Sequence, residues 1–184
     1  MPQFITPDEL KAYPLPVKAE QWFKVGDDQI TIVIERASEH LEDFMDRKVL
    51  TGNYVDRLRG KGLSRQLLTH YPVTQLNVVT AYSPTNAAFD YNVSNFIVDE
   101  SAGIIEWANR YRYNFYTDMV WMIDYNAGFT SVPGPIKHAT ALQTVKMLQP
   151  LFRGGTTFVE TELIAEIDEQ VVELLDPYMR RTST

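Results

Sequence analysis

The sequence predicts an α+β protein: a helical domain of two N-terminal helices, a long late helix and a C-terminal helical arm, with an inserted antiparallel β subdomain. Three observations carry this. Apolar residues recur at helical spacing near both ends, from Ile30 to Met45 and from Leu163 to Tyr178. Between Gly52 and Tyr125 the period falls to two and turn residues interrupt it repeatedly. Finally, the run from Pro135 to Leu148 has helical composition but no clean polar side.

Thr6, Pro7 and Glu9 form a capping box with proline at the first helical position, so a short helix over 6–13 is expected before Pro14 and Pro16 stop it. The second helix spans 27–47, with Asp27 or Asp28 as its N-cap. Ile30, Ile34, Ala37, Leu41, Phe44 and Met45 fall in an arc of about 100° on its core side. Glu35, Glu39, Glu42 and Asp46 take the wet side.

The β insertion is expected over about 52–125. Tyr54–Leu58 and Arg65–Leu68 read as strands joined in a hairpin by Gly60, Lys61 and Gly62. Leu76–Thr80 is a further strand after the break at Pro72. A turn at Ser83–Asn86 follows, then strands about Tyr91–Val93 and Phe96–Val98, and a turn at Asp99–Gly103 into Ile104–Trp107. Asp118–Tyr125 is apolar on both faces and reads as a covered central strand.

Gly128 allows positive φ or close backbone approach at the strand's end. Pro133 and Pro135 lower the entropy of the loop that follows. The late helix spans 135–149 and ends at Pro150. Residues 1–150 thus form a core, and 151–184 a joint and an arm. Phe152–Thr157 supplies the joint, and Asp168 is a possible helix cap within the arm.

The totals exclude several function classes. With 184 residues, 45% apolar and 22% charged, the chain is ordinary globular material, large enough for one domain with an insertion. It has no cysteine, which removes disulfides, thiolate nucleophiles and thiolate zinc sites. No apolar run approaches the roughly 18 residues of a membrane span, and no signal-peptide pattern opens the chain. A soluble protein made in the cytoplasm is the expectation.

Seven of the 24 acids lie between Gly154 and Met179, where there is no lysine or arginine. The remaining 17 acids balance the 17 bases. An acidic arm disfavours nucleic acid as its target and suits either a basic protein surface or simply a solvated helix face that aids solubility. The opposite pattern occurs at Arg47, Lys48, Arg57, Arg59, Lys61 and Arg65, with only Asp56 against them. That cluster is either a solvated hairpin or a surface facing a partner or DNA.

No motif carries chemistry. His40, His70 and His138 share no metal-ligand spacing. Gly60-Lys61-Gly62 lacks the upstream glycine of a phosphate loop, and Gly154-Gly155 follows a helix rather than a strand. No serine sits in a nucleophile elbow. The expectation is no enzyme, no cofactor and no metal.

Several segments, in order, resemble the head-tail connector (adaptor, or head-completion) proteins of tailed double-stranded DNA phages. Ile34–Arg47 resembles the family's first long helix. Gly62–Val73 resembles its strand and "Tyr/Phe-Pro-Val" turn, and Tyr91–Ile105 its "Tyr-x-Val … Gly-Ile" hairpin. Tyr125–Ala139 resembles the "Tyr-x-Ala-Gly-Tyr … Val-Pro-x-x-Ile-Lys-x-Ala" block, with Phe129 in place of the second tyrosine. Ile167–Arg181 resembles the C-terminal arm, with Asp168 where proline is common.

The resemblance implies a structural virion protein. Such proteins form a ring, usually of twelve copies, beneath the capsid portal; they extend the DNA channel and receive the next connector, stopper or tail protein. It implies a neck location in the virion and synthesis in the host bacterial cytoplasm, with no membrane. DNA would pass without sequence-specific binding. The candidate portal contacts are Leu163, Ile167, Val171, Leu174, Tyr178, Arg180 and Arg181. Arg57, Arg59, Lys61 and Arg65 are candidates to face the lumen or a partner, and Gly128, Pro133 and Pro135 to hold the structural loop. Alternatives are a tail-completion or terminator subunit of the same neck and, more remotely, a small enzyme or binding domain.

Overall fold

The structure, a computed structural model, describes residues 2–15, 25–152 and 161–179. The chain divides into two compact units: a helical one from residues 1–47 and 132–180, and a β unit built mainly from residues 48–131. The predicted architecture of a helical domain holding an antiparallel β insertion is the observed one.

In the helical unit, α1 (Pro7–Ala12) opens with the full capping box. The Glu9 amide donates to Thr6 Oγ1 at 3.2 Å, and the Thr6 amide to Glu9 Oε2 at 2.8 Å. The second helix, α2 (Asp27–Met45), is capped by Gly26, one residue before Asp27 and two before Asp28, the proposed aspartate caps. Asp27 and Asp28 occupy the first turn instead, where their charge suits the exposed N–H groups, and Asp27 pairs with Lys11 at 2.6 Å.

Ile30, Ile34, Ala37, Leu41 and Met45 are buried as expected, but the buried face is rotated toward Ser38 and Glu42. Glu42 is 4% exposed, and Phe44, on the opposite rim, is 40% exposed, so those two expectations are reversed. Ser38 tolerates burial because its hydroxyl donates to the Ile34 carbonyl at 2.8 Å and accepts from the Phe4 amide at 3.3 Å.

Helix α3 (Gly134–Phe152) packs against both α2 and α4 (Thr161–Leu175). Residues Ala139 to Val145 are all buried, which is why no polar side is visible in the sequence. Thr140 and Thr144 satisfy their buried hydroxyls by donating to the Ile136 and Thr140 carbonyls at 2.8 and 2.7 Å. Pro150 does not end this helix but lies within its last turn, where the missing N–H deprives only the Lys146 carbonyl of a partner. Of the joint expected over Phe152–Thr157, Phe152 is the last residue of α3, and 153–157 lie outside the described residues. Asp168 is not a cap; it lies mid-helix in α4 and pairs with Lys146 at 2.5 and 2.8 Å.

The β unit holds seven strands: β1 (Gly52–Arg59), β2 (Arg65–Leu67), β3 (Val73–Tyr82), β4 (Ala88–Tyr91), β5 (Phe96–Asp99), β6 (Ile104–Trp107) and β7 (Val120–Ala127). They form two antiparallel sheets, ordered β1-β7-β3-β4 and β2-β6-β5. Trp121, Ile123, Tyr125 and Ala127 of β7 enter a core with Val79 and Ala81 of β3, Ile105 and Trp107 of β6, and Phe96 and Phe115. β7 is central, as expected. Its second face, carrying Val120, Met122, Asp124 and Asn126, is half-buried rather than covered.

The hairpin expected around Gly60 does not form. β1 pairs with β7 and β2 with β6, so residues 60–64 cross between sheets. The glycines serve the β6–β7 loop: the Gly60 amide donates to the Met119 carbonyl (3.1 Å) and the Gly62 amide to the Phe115 carbonyl (2.8 Å). A Cβ on Gly60 would lie 1.8 Å from the Tyr116 carbonyl oxygen, so close backbone approach, not turn geometry, requires glycine there.

Candidate interaction surfaces

The block from Trp121 to Ala139 carries the chain from the β unit back into the helical one. Gly128 has φ +108°, and a Cβ there would meet the Leu50 carbonyl oxygen at 2.5 Å. The positive φ and the close approach expected of this glycine both occur. The neighbouring backbone is bonded at 2.8 to 3.2 Å, with Phe129 donating to the Val49 carbonyl and Thr51 to the Phe129 carbonyl. The Pro133 carbonyl accepts from the Lys137 amide at 3.0 Å and opens α3, with Pro135 in the first turn. The loop is thus fixed by backbone hydrogen bonds at one end and by proline at the other.

The basic cluster separates. Arg47 is buried at the end of the helical unit. Arg57 and Arg59 point outward from β1, which is an edge strand, and Arg65 outward from β2 in the other sheet. Asp56 points inward, where it accepts from the Thr69 amide (2.6 Å) and the Tyr125 hydroxyl (3.0 Å). The His70 amide donates to that same hydroxyl at 3.0 Å, and its ring stacks on Tyr54 at 3.9 Å. Burial drives the Tyr125 phenol far above its ordinary value. These groups pin β1 to β7 and to the entry of β3.

On the sheet's outer face, Asp124 accepts from Asn77 (2.9 Å) and Asn53 (2.7 Å), and these two hydrogen bonds hold its carboxyl below the usual range. His40 is exposed on α2, and His138 stacks on Tyr13 in the helical unit. Among the described residues no group of three or more His, Asp or Glu could hold a metal ion. No described helix is long and apolar enough to cross a membrane.

In the arm, α4 turns one face inward. Ile167 and Val171 are buried there, together with Leu175, which the sequence reading passed over although it lies four residues after Val171. Leu174 and Tyr178 are half-buried. The side chain of Leu163, and Arg180 and Arg181 altogether, lie outside what is described. The opposite face presents a shallow groove lined by Asp168, Glu169, Val172, Glu173, Asp176 and Pro177, with Val172 51% exposed.

One surface was missed entirely. The loop from Ala108 to Met119 joins β6 to β7 and reads Arg110-Tyr111-Arg112-Tyr113 at its apex. Its base is fixed: Ala108 donates to the Asn95 carbonyl, Phe115 to the Leu63 carbonyl, and Tyr113 packs on Trp107 at 5.1 Å. Its apex is open, with Tyr111 89% exposed and the Arg110 guanidinium 5.5 Å from the Tyr111 ring centre. The alternation of arginine and tyrosine was the available signal. It lies between strands, where neither period organises the sequence.

No family model and no curated relative matches this chain. Solved structures match it in fold. A chain described as "Virion of native gene transfer agent (GTA) particle" aligns at 14% identity with TM-score 0.59, over 98% of this chain and 94% of that one. A chain from the "Neck of native GTA particle computed with C12 symmetry" aligns at 15% identity and TM-score 0.58, over 100% and 97%. A third, from the "Neck of empty GTA particle computed with C6 symmetry", aligns at 14% and 0.58, over 87% and 82%. The likeness is one of fold and extends over most of each chain.

Proposed function

We propose that this chain is a non-enzymatic structural subunit of a phage-like virion neck: a head-tail connector forming a ring of twelve copies beneath the portal, extending the DNA channel and joining head to tail. One observation carries the reading. The fold agrees over 87–100% of this chain and 82–97% of the other with particle components described as neck, and the agreement covers most of the segments whose order resembles the connector family. The sixfold and twelvefold symmetries in those descriptions are both compatible with twelve copies.

The portal contact belongs to the end of the arm, at Leu174, Tyr178, Arg180 and Arg181. Ile167 and Val171 already serve the core of their own unit. Arg57, Arg59, Lys61 and Arg65 are exposed and are the candidates to face the lumen or the next neck component. The test is to image the protein co-expressed with the portal of the same particle. A closed ring on the portal's narrow end is the expected result; a protein that stays unattached contradicts the reading.

A further inference from the structure

Two exposed surfaces of this chain, on different units, are complementary in charge. The apex of the β6–β7 loop presents Arg110, Tyr111 and Arg112; from Trp107 to Thr117 the chain has no acid. No described residue forms an ion pair with either arginine. The groove on α4 presents Glu169, Glu173 and Asp176, none in an ion pair, around the apolar floor of Val172 and Pro177. The apex is a rigid-based projection with an aromatic tip, and the groove is a shallow apolar slot with an acidic rim. Arginine and tyrosine are the residues that most often dominate interface energy, and an apolar centre with a charged rim is the usual anatomy of such a contact.

We propose that the occupant of the α4 groove is the β6–β7 loop of a second copy of this chain. Tyr111 of one copy lies on Val172 and Pro177 of the next, and Arg110 and Arg112 meet Glu169, Glu173 and Asp176. The contact uses different patches on the two copies, so it repeats head to tail, and such a contact closes into a ring when its rotation permits. The inference rests on the ring reading above and names the surfaces that build the ring.

The absence of native cysteine makes the test clean. The variant carrying both Tyr111→Cys and Glu173→Cys, at two exposed positions, is oxidised under conditions where electron microscopy shows rings, alone or with the portal. The expected result is a covalent ladder up to the full ring on a non-reducing gel, with neither single variant producing it. In parallel, Arg110→Glu with Arg112→Glu should lower the ring fraction about tenfold or more, and adding Glu169→Arg with Glu173→Arg should restore it.

Rings that form without crosslinks, and that ignore both charge reversals, overturn this contact and leave the ring reading intact. Reversals that leave the rings whole but abolish salt-sensitive binding of duplex DNA assign the loop to nucleic acid instead, which also overturns it. No ring under any condition overturns both.

Discussion

The helical unit is assembled by side chains and the β unit by backbone. In the helical unit, segments from opposite ends of the sequence meet through aliphatic contacts: Ile5, Leu10, Ile30 and Ile34 pack with Ala141 and Leu148. Lys11–Asp27, Lys137–Glu9 and Lys146–Asp168 tie the helices at their surfaces. In the β unit, chain segments approach so closely that Gly60 and Gly128 leave no room for a Cβ, and an aromatic cluster around Trp107, Phe115 and Trp121 fills what remains. Aliphatic packing relaxes around a lost methyl, whereas a backbone contact below van der Waals distance has nowhere to go.

The largest expected effect therefore belongs to the β unit. Gly60→Ala puts a methyl 1.8 Å from a carbonyl oxygen and should cost more than about 4 kcal/mol, read as loss of near-ultraviolet circular dichroism from the buried tryptophans. A Gly60→Ala protein that keeps that signal breaks the comparison. Trp121→Ala follows at about 3–5 kcal/mol by urea unfolding, since Trp121 contacts Tyr91, Trp107 and Phe115.

Next comes Tyr125→Phe. It removes the hydroxyl between Asp56 and the His70 amide and leaves two buried groups each short of a partner, at about 1–3 kcal/mol. The helical unit's counterpart is Thr6→Ala, which opens the capping box and should cost about 0.5–2 kcal/mol in the same assay.

The smallest effect is on pH dependence. In the helical unit, the Lys137 side chain and the Thr6 amide hold the Glu9 carboxyl below its ordinary value. In the β unit, Asn77 and Asn53 do the same to Asp124, and the Ala102 amide and Ser101 hydroxyl to Asp99. A carboxylate with a lowered folded pKa stabilises fully above its unfolded value, and that contribution fades as pH falls below about 4. Glu9→Gln and Asp124→Asn should each flatten the acid limb of a melting curve by lowering its neutral plateau toward the acid value, and only slightly, because both carboxylates lie at the surface. An acid limb unchanged by both substitutions contradicts these assignments.

The same contrast explains what the sequence made legible. Helical periodicity and capping chemistry are local, so α1, α2 and α3 were readable to within a few residues. The turns at Ser83–Asn86 and Asp99–Gly103 were readable for the same reason, since both link sequence-adjacent antiparallel strands. The crossing at Gly60 was not, because a glycine needed for contact with residue 116 looks the same in sequence as one needed for a turn. Glu42 and Phe44 exchanged roles because a small rotation of α2 decides which rim residue is covered. The arm's apolar stripe was found, but its use could not be read: periodicity says that Ile167 and Val171 are buried and does not name the surface that buries them. The arginine–tyrosine alternation lies between strands, where neither a helical nor a strand pattern marks it, and its exposure shows only in the fold.

The central claim is that this chain repeats around a neck. Its most direct test is cryo-electron microscopy of the protein bound to the portal of its particle, with symmetry determined from the images rather than imposed. A closed ring of twelve copies, each with its helical and β units folded as described, is the expected result. Particles in which the portal is bare, or carries the chain in an open, unringed arrangement, would contradict it.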